Sequence, residues 1–173
     1  MNNQLFPVLV VLCIITHIVR LIYELLKHKG KIKPNNISFA IIFFNMFVLW
    51  TSWFILCNLD VSTIHLPLAI RYLGISLVIL GVIIFLTALF TIKTLETYDG
   101  SLITNGIYSK IRHPMYFGFL LWLIGLPIFY GATYSFILSI PFIINVFFWR
   151  YLEELELEKR FPDYTSYKKK TAF

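Results

Sequence analysis

Residues 149–158 read Trp149-Arg150-Tyr151-Leu152-Glu153-Glu154-Leu155-Glu156-Leu157-Glu158, which places four carboxylates within six residues. Like charges this close repel one another unless cations relieve them. Arg150 stands four residues before Glu154, on the same face of a helix, and offsets part of that repulsion. Lys159 and Arg160 offset more. Such a stretch is either a solvated helix end with mixed charges or a carboxylate pair, Glu153 and Glu154, that receives a cation.

A second polar concentration is Gly106-Ile107-Tyr108-Ser109-Lys110-Ile111-Arg112-His113-Pro114-Met115-Tyr116-Phe117-Gly118. Pro114 suits the first turn of a helix, where its missing N–H is no loss. The free backbone N–H groups of that turn, with Arg112 and His113 beside them, make a place for an anion. The plainer reading is a basic anchor at the membrane interface. His113 could alternatively serve as a general base, since an unperturbed imidazole titrates near neutrality.

The elements that carry these residues are apolar. The 173 residues are 58% hydrophobic, 18% aromatic and 14% charged, with mean hydropathy +0.77. Soluble domains carry roughly 25% charged residues. Five apolar runs stand at 5–26, 37–57, 68–92, 115–130 and 133–150. A spanning helix needs about 20 apolar residues. The first three runs meet that, and the last two read as a tight helical hairpin turning near Gly131. The runs are continuous, not alternating, which excludes a barrel. The first run is followed by Lys27, Lys29, Lys31 and Lys33, and reads as a span with a basic stop rather than a signal sequence.

Lysine and arginine orient the spans. The connections at 27–33 and 93–114 are basic, the latter through Lys93, Lys110 and Arg112. Those at 58–67 and around Gly131 carry no lysine or arginine, whereas the tail carries Lys159, Arg160 and Lys168 to Lys170. The expectation is an all-α membrane protein of about five transmembrane helices, N-terminus outside and C-terminus cytoplasmic. Residues 1–58 form an N-terminal helix pair and 59–173 the functional core. The +6 net charge is then a topology signal, not a nucleic-acid patch. Cys13 and Cys57 lie singly in apolar runs, and no Cys or His spacing suits a metal.

This topology sets the two polar places at the cytoplasmic ends of adjacent spans. An anion-binding half and a cation-binding half, rimmed by Tyr108, Tyr116 and Trp149, suit a zwitterionic ligand. The rings also suit a sulfonium or ammonium. In the first span His17, Arg20 and Glu24 share a helical face, either as an internally paired group or as a wall of the site. Asn45 and Asn145 are expected to bond between helices, with Asn145 alternatively aimed at the site. Gly118 and Gly125 are expected to permit close helix contact.

At these residues the chain resembles the small membrane methyltransferases typified by isoprenylcysteine carboxyl methyltransferase, and more distantly phosphatidylethanolamine N-methyltransferase. The resemblance rests on Gly106-Ile107-Tyr108, Arg112-His113-Pro114-Met115-Tyr116-Phe117-Gly118, Glu153-Glu154, Leu157, Phe161, Tyr164 and Tyr167. It covers about residues 68 to 171. Ile107 stands where the family usually has proline, and Pro162 replaces a common glycine. The resemblance implies S-adenosylmethionine as methyl donor, with Tyr108, His113, Tyr116, Gly118, Glu153 and Glu154 holding it. It implies Arg112 and His113 at the reacting centre. It implies no metal, a lipophilic or prenylated acceptor delivered from the bilayer, and a site on the cytoplasmic side. An isoprenylcysteine-like carboxylate is the favoured acceptor. The rival readings are an NADPH-dependent membrane reductase of the sterol and steroid type and a small non-enzymatic membrane protein.

Overall fold

A computed structural model describes residues 2–92 and 101–173. Lys93, counted above among the basic residues of the third connection, lies outside them. The described residues are helical, with no strand beyond two isolated bridges. The helices are α1 (Asn2–His28), α2 (Asn36–Asn58), α3 (Leu68–Ile92), α4 (Pro114–Tyr130), α5 (Thr133–Arg160) and a short α6 (Tyr164–Lys170). A single 3-10 turn at Gly106–Ser109 precedes α4.

Among the described residues, α1 from Gln4, α2, α3 and α5 are long and apolar enough to cross a bilayer. With 17 residues α4 is shorter, roughly 25 Å at 1.5 Å per residue. α5 runs on to Arg160, past the apolar run that ends at Arg150. It therefore carries Glu153 and Glu154 as helical residues.

Local signals set the helix boundaries. The Asn35 side-chain oxygen accepts hydrogen bonds from the backbone N–H groups of Ile37 and Ser38, and the Ser38 hydroxyl oxygen accepts one from the Asn35 N–H. That reciprocal cap starts α2. Pro114 opens α4 as its sequence position suggests. Gly131 ends it with φ +67°, and the carbonyl of Ile64 fills the place where a side chain would go.

Polar contacts identify the two ends of the bundle. At one end Lys27 of α1 approaches Glu156 of α5 at 3.8 Å, and Arg112 before α4 approaches Glu154 at 3.4 Å. At the other end Asp60 accepts from the backbone N–H and the hydroxyl of Ser135, both at 2.7 Å. The Thr133 N–H donates to the Ser62 carbonyl there at 2.8 Å. Asp60 thus takes up the Ser135 N–H in the first turn of α5, in place of a side chain from Ala132.

One apolar core joins all five long helices, with Cys13, Leu49, Val78, Leu123, Val146 and Trp149 buried in it. Residues 1–58 and 59–173 share this core. Asn45 donates to the Thr16 carbonyl at 3.1 Å, tying α2 to α1. Asn145 lies 3.2 Å from the His17 ring, tying α5 to α1. His17 itself is stacked on Phe142 and Trp149, with ring centroids 3.8 and 5.3 Å away.

The tightest contact is between α3 and α4. Gly74 and Gly81 on α3 face Gly125 and Gly118 on α4. A methyl group on Gly81 would meet the Gly118 carbonyl oxygen at 2.6 Å. Both partners are backbone, so neither can step aside. Small residues spaced in this way let two helices approach closely in lipid. Gly81→Ala is expected to cost about 1–3 kcal/mol, the usual toll of overpacking, read as a lower Tm in detergent. An unchanged Tm would contradict this close approach.

Candidate active site

A cavity with about 840 Å³ of empty space, open mouth included, lies at the end of the bundle that holds the charged side chains. One wall comes from Tyr108, Arg112, Tyr116, Trp149 and Glu153, around the start of α4 and the late turns of α5. The facing wall comes from α1 and α2, through Arg20, Lys27 and a row of apolar side chains.

The two polar stretches singled out in the sequence meet here, and they meet each other. Glu154 is buried, with 6% of its surface exposed. Around its carboxylate stand Lys168 at 2.7 Å, His113 Nε2 at 3.3 Å, Arg112 Nε at 3.4 Å and Arg150 Nε at 3.7 Å. Four nitrogen partners from three chain segments converge on one carboxylate. Glu154 therefore turns away from the cavity and into a charge cluster. Glu153, the preceding residue on α5, lines the cavity. Its side chain is 37% exposed, and His113 Nδ1 lies 3.8 Å from its carboxylate. Consecutive residues on a helix point about 100° apart, and this separates the roles of the pair.

His113 is 5% exposed, with each ring nitrogen facing a carboxylate. The Tyr164 hydroxyl lies 3.3 Å from its Nε2. Burial pushes the Tyr164 hydroxyl above the usual tyrosine range, and the nearby carboxylates add to this. The expected meeting of His113 with a ligand anion is thus not what its surroundings present. It bridges the two glutamates.

Arg112 is held by the tail. Its guanidinium donates to the carbonyls of Lys168, at 3.0 Å, and Thr171. Its backbone N–H donates to the Ala172 carbonyl at 3.0 Å, and Ala172 donates back to the Lys110 carbonyl at 2.8 Å. The Tyr167 hydroxyl donates to the Tyr108 carbonyl. These bonds strap residues 164–172 across the loop before α4 and fix Tyr108 and Arg112 on the cavity wall. Hydrogen bonds from the Lys168 ammonium to Glu154 and Glu158 raise its pKa above the ordinary lysine value.

The remaining sequence candidates fall in different places. Tyr108 and Tyr116 line the cavity, and the Tyr116 ring lies 5.9 Å from that of His113. Gly118 instead packs against Gly81 in the α3–α4 contact, away from the cavity wall. Its contribution to the site is indirect, since it sets the depth of α4 against α3. Sequence reasoning missed Lys168 and Thr171 as partners of the site, and missed Lys27 and the α2 side chains as its second wall. The spacing of Arg20, Glu24 and Lys27 on the last turns of α1 was the available signal for that wall.

The cavity carries buried donors that lack a partner among the described residues. They are the Tyr108 hydroxyl and the indole N–H groups of Trp50 and Trp149. Burial holds the Tyr108 hydroxyl well above its ordinary pKa, so it stays protonated and able to donate. Buried unpaired donors are costly, and a bound ligand with acceptor atoms removes that cost. Among the described residues no group of acidic, histidine or cysteine side chains is arranged for a metal ion.

A stretch of 89 residues is 34% identical to Protein-S-isoprenylcysteine O-methyltransferase B from Arabidopsis thaliana, covering 47% of this chain and 43% of that relative. The matched part is thus less than half of the relative's length. No solved structure matches the chain. Residues 69–164 match the phospholipid methyltransferase family. Those residues make up more than half of the chain and hold α4, α5 and the whole Arg112, His113, Glu153 and Glu154 cluster, so the chain belongs to that family of membrane methyltransferases.

Proposed function

We propose that the protein is an S-adenosylmethionine-dependent methyltransferase acting on a lipophilic acceptor delivered from the bilayer, with O-methylation of an isoprenylcysteine-type carboxylate favoured. One observation carries this reading. A single cavity joins a half-exposed carboxylate, Glu153, and partnerless donors on Tyr108 and Trp149 to an apolar α2 wall. The first set suits a cation with nearby acceptor atoms, and the second suits a lipid chain.

The donor, when bound, supplies a methyl carbon activated by a positively charged sulfur. Glu153 would take its ammonium. The Tyr108 hydroxyl and the Trp149 N–H would donate to its carboxylate or sugar oxygens. Arg112 retains N–H groups beyond those spent on the tail and Glu154, and these would serve an anionic oxygen at the cavity wall. Glu154 acts one step behind, by fixing Arg112 and His113. Methyl transfer is an in-line displacement, so positioning of the two reactants does most of the work. The rings of Tyr116 and Trp149 keep water from the reacting atoms. A carboxylate acceptor is already ionised and needs no base. This agrees with a His113 whose two nitrogens are engaged by glutamates.

The topology belongs to the same proposal. Five helices cross, the N-terminus lies outside, and the cavity end faces the cytoplasm, where the donor is made. The basic connections, through Lys27 to Lys33, Lys110, Arg112 and the tail, gather at that end. Residues 59–173 form the methyltransferase core, preceded by the helix pair 1–58.

Transfer of methyl label from S-adenosylmethionine tests the function. Purified protein in nanodiscs, given a prenylated cysteine, is expected to move label into an organic-extractable, base-labile product. Label that stays with the donor for prenylcysteine and for phospholipid amines alike would refute the reading.

A further inference from the structure

Residues 164–171 read Tyr164-Thr165-Ser166-Tyr167-Lys168-Lys169-Lys170-Thr171. At helical spacing Tyr164, Tyr167, Lys168 and Thr171 share one face. These four are buried or half-buried, while Thr165, Ser166, Lys169 and Lys170 are exposed. A helix of seven residues does not hold itself in water. The order of α6 therefore comes from what its covered face touches.

That face touches the cavity wall from behind. The Tyr167 hydroxyl donates to the Tyr108 carbonyl, and the Thr171 hydroxyl donates to the Tyr167 carbonyl at 3.0 Å. The carbonyls of Lys168 and Thr171 accept from the Arg112 guanidinium. The Tyr164 hydroxyl lies 3.3 Å from His113 Nε2. Tyr108, Arg112 and His113 line the cavity, whereas its lining among the described residues ends at Glu153. The tail thus reaches the cavity only through wall residues. Residues 165–173 also lie beyond the family match, which ends at residue 164.

A second attachment avoids the wall. The Phe173 ring packs on Phe117 and Phe147, with centroids 5.3 and 5.9 Å away, and Arg150 lies over it at 4.7 Å. None of these three residues lines the cavity. The tail is therefore held at two places, and only one of them is bonded to groups that a ligand in the cavity would touch.

We propose that Tyr167 is a positioning residue for the methyl donor. Its hydroxyl, bonded to the Tyr108 carbonyl, ties docking of the tail to binding of the donor, so that each strengthens the other. This rests on the methyltransferase reading above, in which Tyr108 and Arg112 meet the donor. A donor that fixes the Tyr108 turn and the Arg112 guanidinium fixes the groups to which the tail is bonded. By linkage, a docked tail then favours the donor by the same factor.

Limited trypsin digestion in detergent, with and without saturating S-adenosylhomocysteine, tests this. Cleavage at Lys168 to Lys170 follows the undocked fraction of the tail when docking is fast. The ligand is expected to slow it about fivefold or more in the wild type, the usual size of a coupling between sites. Tyr167→Phe removes one hydroxyl and keeps the ring beside that of Tyr164. It should cut the protection about two- to tenfold, the worth of one hydrogen bond. Phe173→Ala should speed cleavage equally with and without ligand, and so leave the protection intact. If the Tyr167 hydroxyl only packs the tail down, Tyr167→Phe will behave as Phe173→Ala does. That result, or a wild type that binds S-adenosylhomocysteine without protection of its tail, overturns this inference alone. A wild type that does not bind S-adenosylhomocysteine overturns the methyltransferase reading and this inference with it.

Discussion

Glu154→Gln is expected to undock the tail and destabilise the whole cavity end. The substitution keeps the volume and removes the charge on which Lys168, His113, Arg112 and Arg150 converge. Breaking a buried ion cluster by deleting one partner costs about 3–5 kcal/mol when the orphaned charges are shut away from water. Lys168 and Arg150 keep contact with solvent, so a loss of about 2–3 kcal/mol is the better expectation. That corresponds to a shift on the order of a hundredfold in the docking equilibrium of residues 164–172. Two measurements read it. Tm in detergent should fall, and trypsin should cleave at Lys168 to Lys170 far faster than in the wild type. Unaltered Tm and cleavage would show that the four partners are not held by Glu154.

Glu153→Gln should behave in the opposite way. Glu153 lines the cavity, beside Tyr116 and with His113 Nδ1 at 3.8 Å. Without it His113 still keeps Glu154, 3.3 Å from its Nε2. Stability should therefore hold. Affinity for S-adenosylhomocysteine should fall roughly ten- to hundredfold, the cost of about 1.5–3 kcal/mol for a lost charge-assisted contact. The pair of variants thus separates two adjacent glutamates into a binding residue and a scaffold residue. Equal effects of both on Tm and on affinity would contradict that division.

The sequence made the helices legible because lipid demands continuous apolar runs, and the charged ends mark where those runs stop. It carried less about α5, where the apolar run ends at Arg150 but the helix continues to Arg160. Hydropathy reports solvent, not backbone conformation. The Arg150–Glu154 spacing was the sign that the helix goes on. Glycine spacing on α4 was readable as a close contact, and the structure supplies the partners, Gly74 and Gly81.

The site was legible as a pair of polar stretches that must meet, because α4 and α5 form a hairpin. Its inner wiring was not. Arg112 and Thr171 lie 59 positions apart, and nothing local in either segment announces their bond. Glu153 and Glu154 are indistinguishable in a string of letters, and only the roll of α5 assigns one to the cavity and one to the cluster. For the same reason His113 read as an anion ligand. Its neighbours in sequence are Arg112 and a helix start, whereas its neighbours in space are two carboxylates and Tyr164. The α1–α2 wall was half visible, through Arg20 and Glu24 on one helical face. The α2 side chains that complete it are apolar in an apolar run, and carry no mark of function.

Calorimetric titration of the purified protein with S-adenosylhomocysteine, and separately with NADPH, tests the central claim most directly. The account predicts saturable binding of S-adenosylhomocysteine at one site per chain, weakened by Glu153→Gln, and no heat from NADPH beyond dilution. Saturable binding of NADPH with none of S-adenosylhomocysteine would contradict it and turn the same cavity into the cofactor site of a reductase.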